Sequence, residues 1–290
     1  MTISRRELLA TSAALAVTGS AAADHHEGGT QRDEMPADAS KGRVRQTVCQ
    51  WCYRDTPFEE LAKWCVELGL VGIDLVKPSN FGVLKEHGLV CSMTPSHGIA
   101  RGLNDPGNWD DCLKAINEAI EATAAEGWKN VICFSGNRNG MSDDVGLKNC
   151  AEALKKIAPV AEEAGVTLQM ELLNSRVNHP DYMCDKSEWG VRLVNEVGSD
   201  AFRLLYDIYH MQIMEGDLIR TIERDHAAFG HYHTAGNPGR HELDDSQELQ
   251  YAPIIRAIAE TGFEGFLGQE FIPTKDPRAS LEQAVAVCTV

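Results

Sequence analysis

From residue 44 onward the chain alternates short apolar runs with longer amphipathic ones. The short runs predict eight strands, at 46–51, 72–76, 89–93, 130–135, 167–172, 203–208, 231–234 and 265–270. Between them, apolar positions recur at helical spacing over 57–68, 81–86, 109–126, 145–164, 186–197, 218–229, 251–261 and 277–287. Thr56-Pro57 places a capping residue before a proline at the first helical position. Several of the helical patterns stop at glycine, as at Gly69, Gly165 and Gly198. Strands that alternate with helices without a long interruption predict an α/β fold in which a parallel sheet closes into a single (β/α)8 TIM barrel. An open doubly wound sheet would usually carry a glycine-rich phosphate loop after its first strand, and the sequence has none there.

The first 43 residues break this pattern. Ser4-Arg5-Arg6-Glu7-Leu8-Leu9 sets paired arginines ahead of an apolar run that ends in Ala21-Ala22-Ala23. A basic start, a short apolar stretch and a small-residue end predict a twin-arginine signal peptide over 1–23, cleaved near Ala23. The apolar run falls well short of the roughly 20 residues that span a bilayer, which weighs against a membrane anchor. Residues 24–43 are polar and aperiodic and read as a flexible linker, with His25-His26 part of a solvated tail. The expected location is periplasmic, or otherwise outside the cytoplasm, by way of the twin-arginine machinery. About 245 residues remain, the usual size of one α/β barrel.

Composition narrows the partners. The formal charge is −16, and −17 once the leader is gone. An acidic surface repels nucleic acid and anionic membrane, so the expected partner is a small-molecule substrate, with no nucleic acid and no membrane after signal cleavage. The oligomeric state stays open. Nine cysteines cannot all pair. Most lie inside apolar patterns, where a thiol behaves as a small buried hydrophobe. Cys49-x-x-Cys52 has redox spacing, but it lies on the first predicted strand rather than at a helix start.

The chemistry of a barrel gathers at the C-terminal ends of its strands. Strand five ends in Gln169-Met170-Glu171, and strand six in Tyr206-Asp207-Ile208-Tyr209-His210. Strand seven ends in His231-Tyr232-His233, and strand eight in Gln269-Glu270. Four consecutive strands thus deliver Glu171, Asp207, His233 and Glu270 to one rim, where three carboxylates would repel one another without a cation. These donors predict one divalent metal ion, with Mn²⁺, Mg²⁺ or Co²⁺ favoured and Zn²⁺ compatible. His97, after strand three, is a candidate for substrate binding, with a loop histidine bonded to backbone as the plain alternative. Trp51 reads as a pocket wall or a cap on the core. Glu242 and Glu248 read as solvated loop residues.

These strand ends and their flanking segments resemble the hydroxypyruvate isomerase family of the xylose-isomerase-like barrel group. The segments that carry the resemblance are Asp207-Ile208-Tyr209-His210-Met211-Gln212 with Glu215-Gly216, Asn237-Pro238-Gly239-Arg240-His241-Glu242, and Gly268-x-Glu270-Phe271-x-Pro273. The match is looser in the first half, through Gly88-Leu89 and Gly102-Leu103-Asn104. The resemblance implies that Glu171, Asp207, His233 and Glu270 hold the metal and that Glu171 and Glu270 double as the acid–base pair. It also implies that His210 and Arg240 contact the substrate's oxygens. The expected reaction is an aldose–ketose type isomerisation of a small hydroxy-keto acid or sugar, hydroxypyruvate to 2-hydroxy-3-oxopropanoate foremost, through an enediolate.

The chain departs from the family around the substrate. Hydroxypyruvate isomerases usually carry Gln where this chain has His233, whereas sugar 3-epimerases of the group carry His. The strand-seven loop has Ala235-Gly236 in place of Ala-Asp, and Val177-Asn178-His179-Pro180 lacks the usual Asp. A ketose 3-epimerase is therefore the nearest alternative. An exported barrel that binds solute or metal without turnover is the non-enzymatic one. A DNA-repair endonuclease of this barrel group would need a basic face, which the charge opposes.

Overall fold

A computed structural model of the chain describes residues 44–290. The leader and linker expected over 1–43 lie outside the described residues. All eight expected strands are present: β1 Arg45–Cys49, β2 Gly72–Asp74, β3 Val90–Met93, β4 Asn130–Cys133, β5 Thr167–Leu172, β6 Phe202–Asp207, β7 Phe229–Thr234 and β8 Phe266–Gln269. They form one parallel sheet in the order β3-β2-β1-β8-β7-β6-β5-β4. Its two end strands meet through a single parallel bridge between Thr94 and Val131, with Ile132 N–H donating to the Thr94 carbonyl at 3.0 Å. The expected eight-stranded barrel is borne out, with its seam between β3 and β4.

The helices are α1 Phe58–Leu68, α2 Phe81–Glu86, α3 Trp109–Ala125, α4 Asp143–Ala164, α5 Ser187–Val197, α6 Ile208–Met214, α7 Leu218–Asp225, α8 Tyr251–Glu260 and α9 Pro277–Cys288. Their apolar faces cover the outside of the sheet, as parallel sheets require. Buried Leu61, Ile116, Leu154, Leu193, Ile222, Ile255 and Leu281 are the anchors of seven of them. Gly69, Gly165 and Gly198 take the left-handed conformation that closes α1, α4 and α5. No helix among the described residues is long and apolar enough to cross a membrane.

Several strands end a residue or two short of the sequence pattern, β1 giving way after Cys49 to a 3-10 turn at Gln50–Tyr53 that takes Cys52 off the strand, and two further boundaries bear on the site. Strand six was expected to run through Ile208, but it stops at Asp207, whose carboxylate accepts the His210 N–H at 3.1 Å and caps α6. An Asp that can satisfy a free helical N–H favours starting a helix over extending a strand. The helical pattern at 218–229 ends early. After α7 comes a short 3-10 turn at His226–Ala228, and Phe229 is the first residue of β7, buried and paired with Leu204.

Candidate metal centre

Side chains two apart on a strand face the same side of the sheet, so His231 and His233 on β7 both enter the barrel interior. Gly268 on β8 and Glu270 just beyond it share that side. Glu171 ends its strand's inward row beside Gln169, and Asp207 lies opposite His233 in the register of β6 and β7. Glu171, Asp207, His233 and Glu270 each place one ligand atom within 4.8 Å of the others. All four side chains are buried.

His233 Nδ1 faces the carboxylates, 2.9 Å from Glu270 Oε2 and 3.4 Å from Glu171 Oε1. Even so, Glu171 Oε1 and His233 Nδ1 are buried without a hydrogen-bond partner among the described residues. Unpartnered oxygen and imidazole donors aimed at one point are the donor set of a divalent cation, and these residues fit such an ion. Burial raises the proton affinity of Glu171, and it brings Asp207 up to about 8 despite the opposing Arg240. Burial acts on Glu270 in the same direction, but Arg240 and His233 outweigh it and hold that carboxylate well below its ordinary range.

The opposite face of the imidazole is also fixed. His233 Nε2 lies 3.1 Å from Asp74 Oδ2 and 3.6 Å from Cys49 Sγ. Asp74 is itself fully buried. Thr47 Oγ1 donates to its Oδ1 at 2.5 Å, Ser92 Oγ donates to the same oxygen, and His231 Nε2 lies 2.6 Å from its Oδ2. A carboxylate on the far nitrogen of a ligand histidine sets the tautomer and orients the ring toward the metal. Gly268 makes room for this pair, because a Cβ there would come within 2.8 Å of the His233 ring and 2.9 Å of Asp74 Oδ2. Sequence reading missed Asp74. Its strand has only three residues, and nothing in the spacing links positions 74 and 233.

On the rim, Arg240 sits between Trp51 and Tyr209, its guanidinium carbon 5.1 and 5.4 Å from the two ring centroids. It pairs with Glu270 Oε2 at 2.5 Å and Asp207 Oδ2 at 3.5 Å, and its Nη1 lies 3.0 Å from His210 Nε2. Trp51 does more than line a wall, because its Nε1 donates to Glu270 Oε1 at 2.7 Å. His210, expected at a strand end, is carried instead by the first turn of α6 and is fully buried. The His179 ring packs edge-on against it at 5.3 Å.

His97 is not brought to this cluster. Its Nε2 accepts the Phe134 N–H at 3.3 Å and its Nδ1 lies 3.1 Å from the Gly98 carbonyl, so the backbone occupies both ring nitrogens. Glu242 is buried rather than solvated. It accepts hydrogen bonds from the N–H and hydroxyl of Thr274, the N–H of Lys275 and the hydroxyl of Ser280. Glu248 stays at the surface, within 3.2 Å of Gln212 Nε2. All nine cysteines are free and buried, Cys49 and Cys52 included.

Comparison with known proteins selects the same barrel. A family model described as xylose isomerase-like TIM barrel matches residues 53–288. A protein of Danio rerio named as a putative hydroxypyruvate isomerase is 33% identical over 258 residues, covering 86% of each chain. The 2-oxo-tetronate isomerase of Cupriavidus necator is 31% identical over 177 residues, 61% of this chain and 67% of that one. Among solved structures, a Brucella melitensis protein named as an AP endonuclease, family 2, superimposes with a TM-score of 0.73 at 25% identity, covering 82% of this chain and 97% of the other.

Proposed function

This chain belongs to the xylose isomerase-like TIM barrel family and is an isomerase of that group, and from that premise we propose that it is a divalent-metal-dependent isomerase of the hydroxypyruvate type. In this reading it moves the carbonyl of a small hydroxy-keto acid or sugar by proton transfer through an enediolate. The observation that carries the reading is the convergence of four buried donors, two of them with unpartnered atoms, at the mouth of the barrel.

Glu171, Asp207, His233 and Glu270 would hold a divalent ion, and its positive charge would polarise a substrate carbonyl and acidify the neighbouring C–H. Mn²⁺, Mg²⁺ and Co²⁺ suit this donor set best, and Zn²⁺ is compatible with it. Surroundings separate the two glutamates into roles. Arg240 and His233 outweigh burial and hold Glu270 in its carboxylate form, whereas burial raises the proton affinity of Glu171. Glu270 removes the proton from the hydroxyl-bearing carbon. Glu171 delivers a proton to the adjacent carbon as the hydroxyl proton passes to the former carbonyl oxygen. Arg240 offers a planar fork for a substrate carboxylate, and His210 faces the same oxygens. The backbone bonds of His97 leave it no part in this scheme.

The imidazole at position 233 favours a second reading, a ketose 3-epimerase with the same glutamates. One experiment separates the two. The metal-loaded protein is incubated in D₂O with hydroxypyruvate and with a set of ketoses. Deuterium entering hydroxypyruvate, together with formation of 2-hydroxy-3-oxopropanoate, supports the isomerase. Deuterium at carbon 3 of a ketose, with hydroxypyruvate inert, replaces it with the epimerase. No incorporation into any substrate overturns both and leaves a non-catalytic binding barrel. Export by the twin-arginine route is part of the same proposal. It rests on Arg5-Arg6 and the apolar run to Ala23, and N-terminal sequencing of the mature protein checks it.

A further inference from the structure

Asn174 lies just past β5, fully buried, and uses its whole amide. Its Oδ1 accepts the backbone N–H of Val177 and of Asn178, both at 2.9 Å. Backbone N–H groups can only donate, so the oxygen and nitrogen of this amide are assigned without ambiguity. Its Nδ2 then donates twice, to Asn178 Oδ1 at 2.7 Å and to His210 Nδ1 at 2.6 Å. His210 Nδ1 must therefore carry a lone pair, and in a neutral ring the proton goes to Nε2.

That proton meets a second donor. Arg240 Nη1, which has no lone pair to offer, is 3.0 Å from His210 Nε2. One of the two contacts to His210 joins donor to donor whichever nitrogen is protonated. The Asn174 contact is the shorter, and its amide is held by three other bonds. Arg240 instead sits at the rim between two aromatic faces. The mismatch therefore falls between His210 and Arg240, whose shared acceptor within the chain is Asp207 Oδ2, a long 3.5 Å from each and one of the four residues that would hold the metal.

We propose that Asn174 is a positioning residue that fixes His210 as the Nε2–H tautomer, so that His210 and Arg240 present two donors to one anionic oxygen of the substrate. The oxygen that fits is a carboxylate oxygen or the enolate oxygen that develops during proton transfer. Donors preset toward developing charge stabilise a transition state without reorganising. The assignment of the oxygen rests on the isomerase reading, whereas the tautomer does not.

Nitrogen NMR of ¹⁵N-histidine-labelled protein, metal-free and loaded with magnesium, reads the tautomer directly, with His210 assigned by its loss in H210Q. A lone-pair nitrogen at Nδ1 and a protonated Nε2 are expected, and a protonated Nδ1 in the wild-type protein overturns the proposal. This measurement needs no change at Asn174. Asn174→Asp keeps the acceptor for Val177 and Asn178 but replaces the donor with a second acceptor, so Nδ1 should gain the proton. Proton exchange into the substrate should then fall about 10²-fold in kcat, with magnesium affinity unchanged. A switched tautomer with undiminished kcat refutes the role in turnover. A wild-type protein inert to every substrate refutes the proposed function while the tautomer assignment stands.

Discussion

Asp74 reaches no part of the rim, yet it decides which nitrogen of His233 faces the carboxylates. Its Oδ2 lies against Nε2 and leaves Nδ1 for the cluster. Partners of this kind typically contribute 10–100-fold to metal affinity. Asp74→Asn should therefore weaken manganese binding about 10–100-fold by titration calorimetry, and unchanged affinity would show that packing alone orients His233. At this scale the sequence showed the four donors well, because each closes a strand and a barrel collects its strand ends on one rim. Asp74 and Asn174 were not legible. Both act through another side chain, and their partners, His233 and His210, lie far away along the chain and meet them only through the closed barrel.

The elements turned out where the alternation placed them, and the early end of β6 has a local cause. Asp207 serves both as a cap and as a cluster residue, so α6 begins where the apolar run seemed to continue and His210 comes to lie on a helix. Glu242 misled for the opposite reason. A charged residue in a charged loop reads as solvated, but this one ties the loop after β7 to the segment between β8 and α9. Burial works to raise its proton affinity, while the bonds from Thr274 and Ser280 outweigh burial and bring it down to about 2. An unfolded glutamate titrates near pH 4.3. Its folded value is depressed, so its contribution is complete above about pH 4.3 and disappears as pH falls toward about 2. Glu242→Gln should cost about 1.5–3 kcal/mol at pH 7 by urea denaturation. The difference from wild type should shrink as acid enters that window, and a difference independent of pH would count against the clamp.

At the scale of the whole barrel, Glu171, Asp207 and Glu270 are brought together in the interior, with Arg240 paired to the last two. A ligand that binds only the folded chain stabilises it by about 2.7 kcal/mol at one hundred times its dissociation constant. Saturating manganese should accordingly raise the melting temperature by about 5 °C or more, and a chelator should reverse the change. Family, fold and a cluster of four donors able to hold a metal ion could all be read at this level from eight strands and their last residues. The choice between hydroxypyruvate and a ketose could not, because it depends on how the loops carrying Asn174, His179 and Arg240 fold over the rim.

The central claim is that Glu171 and Glu270 move a proton beside a carbonyl, and solvent-deuterium incorporation in Glu171→Gln and Glu270→Gln tests it most directly. With metal loaded and the fold confirmed by circular dichroism, each variant should lose incorporation into the substrate that the wild type labels, by at least about 10²-fold. Incorporation retained at the wild-type rate in both variants would contradict the account.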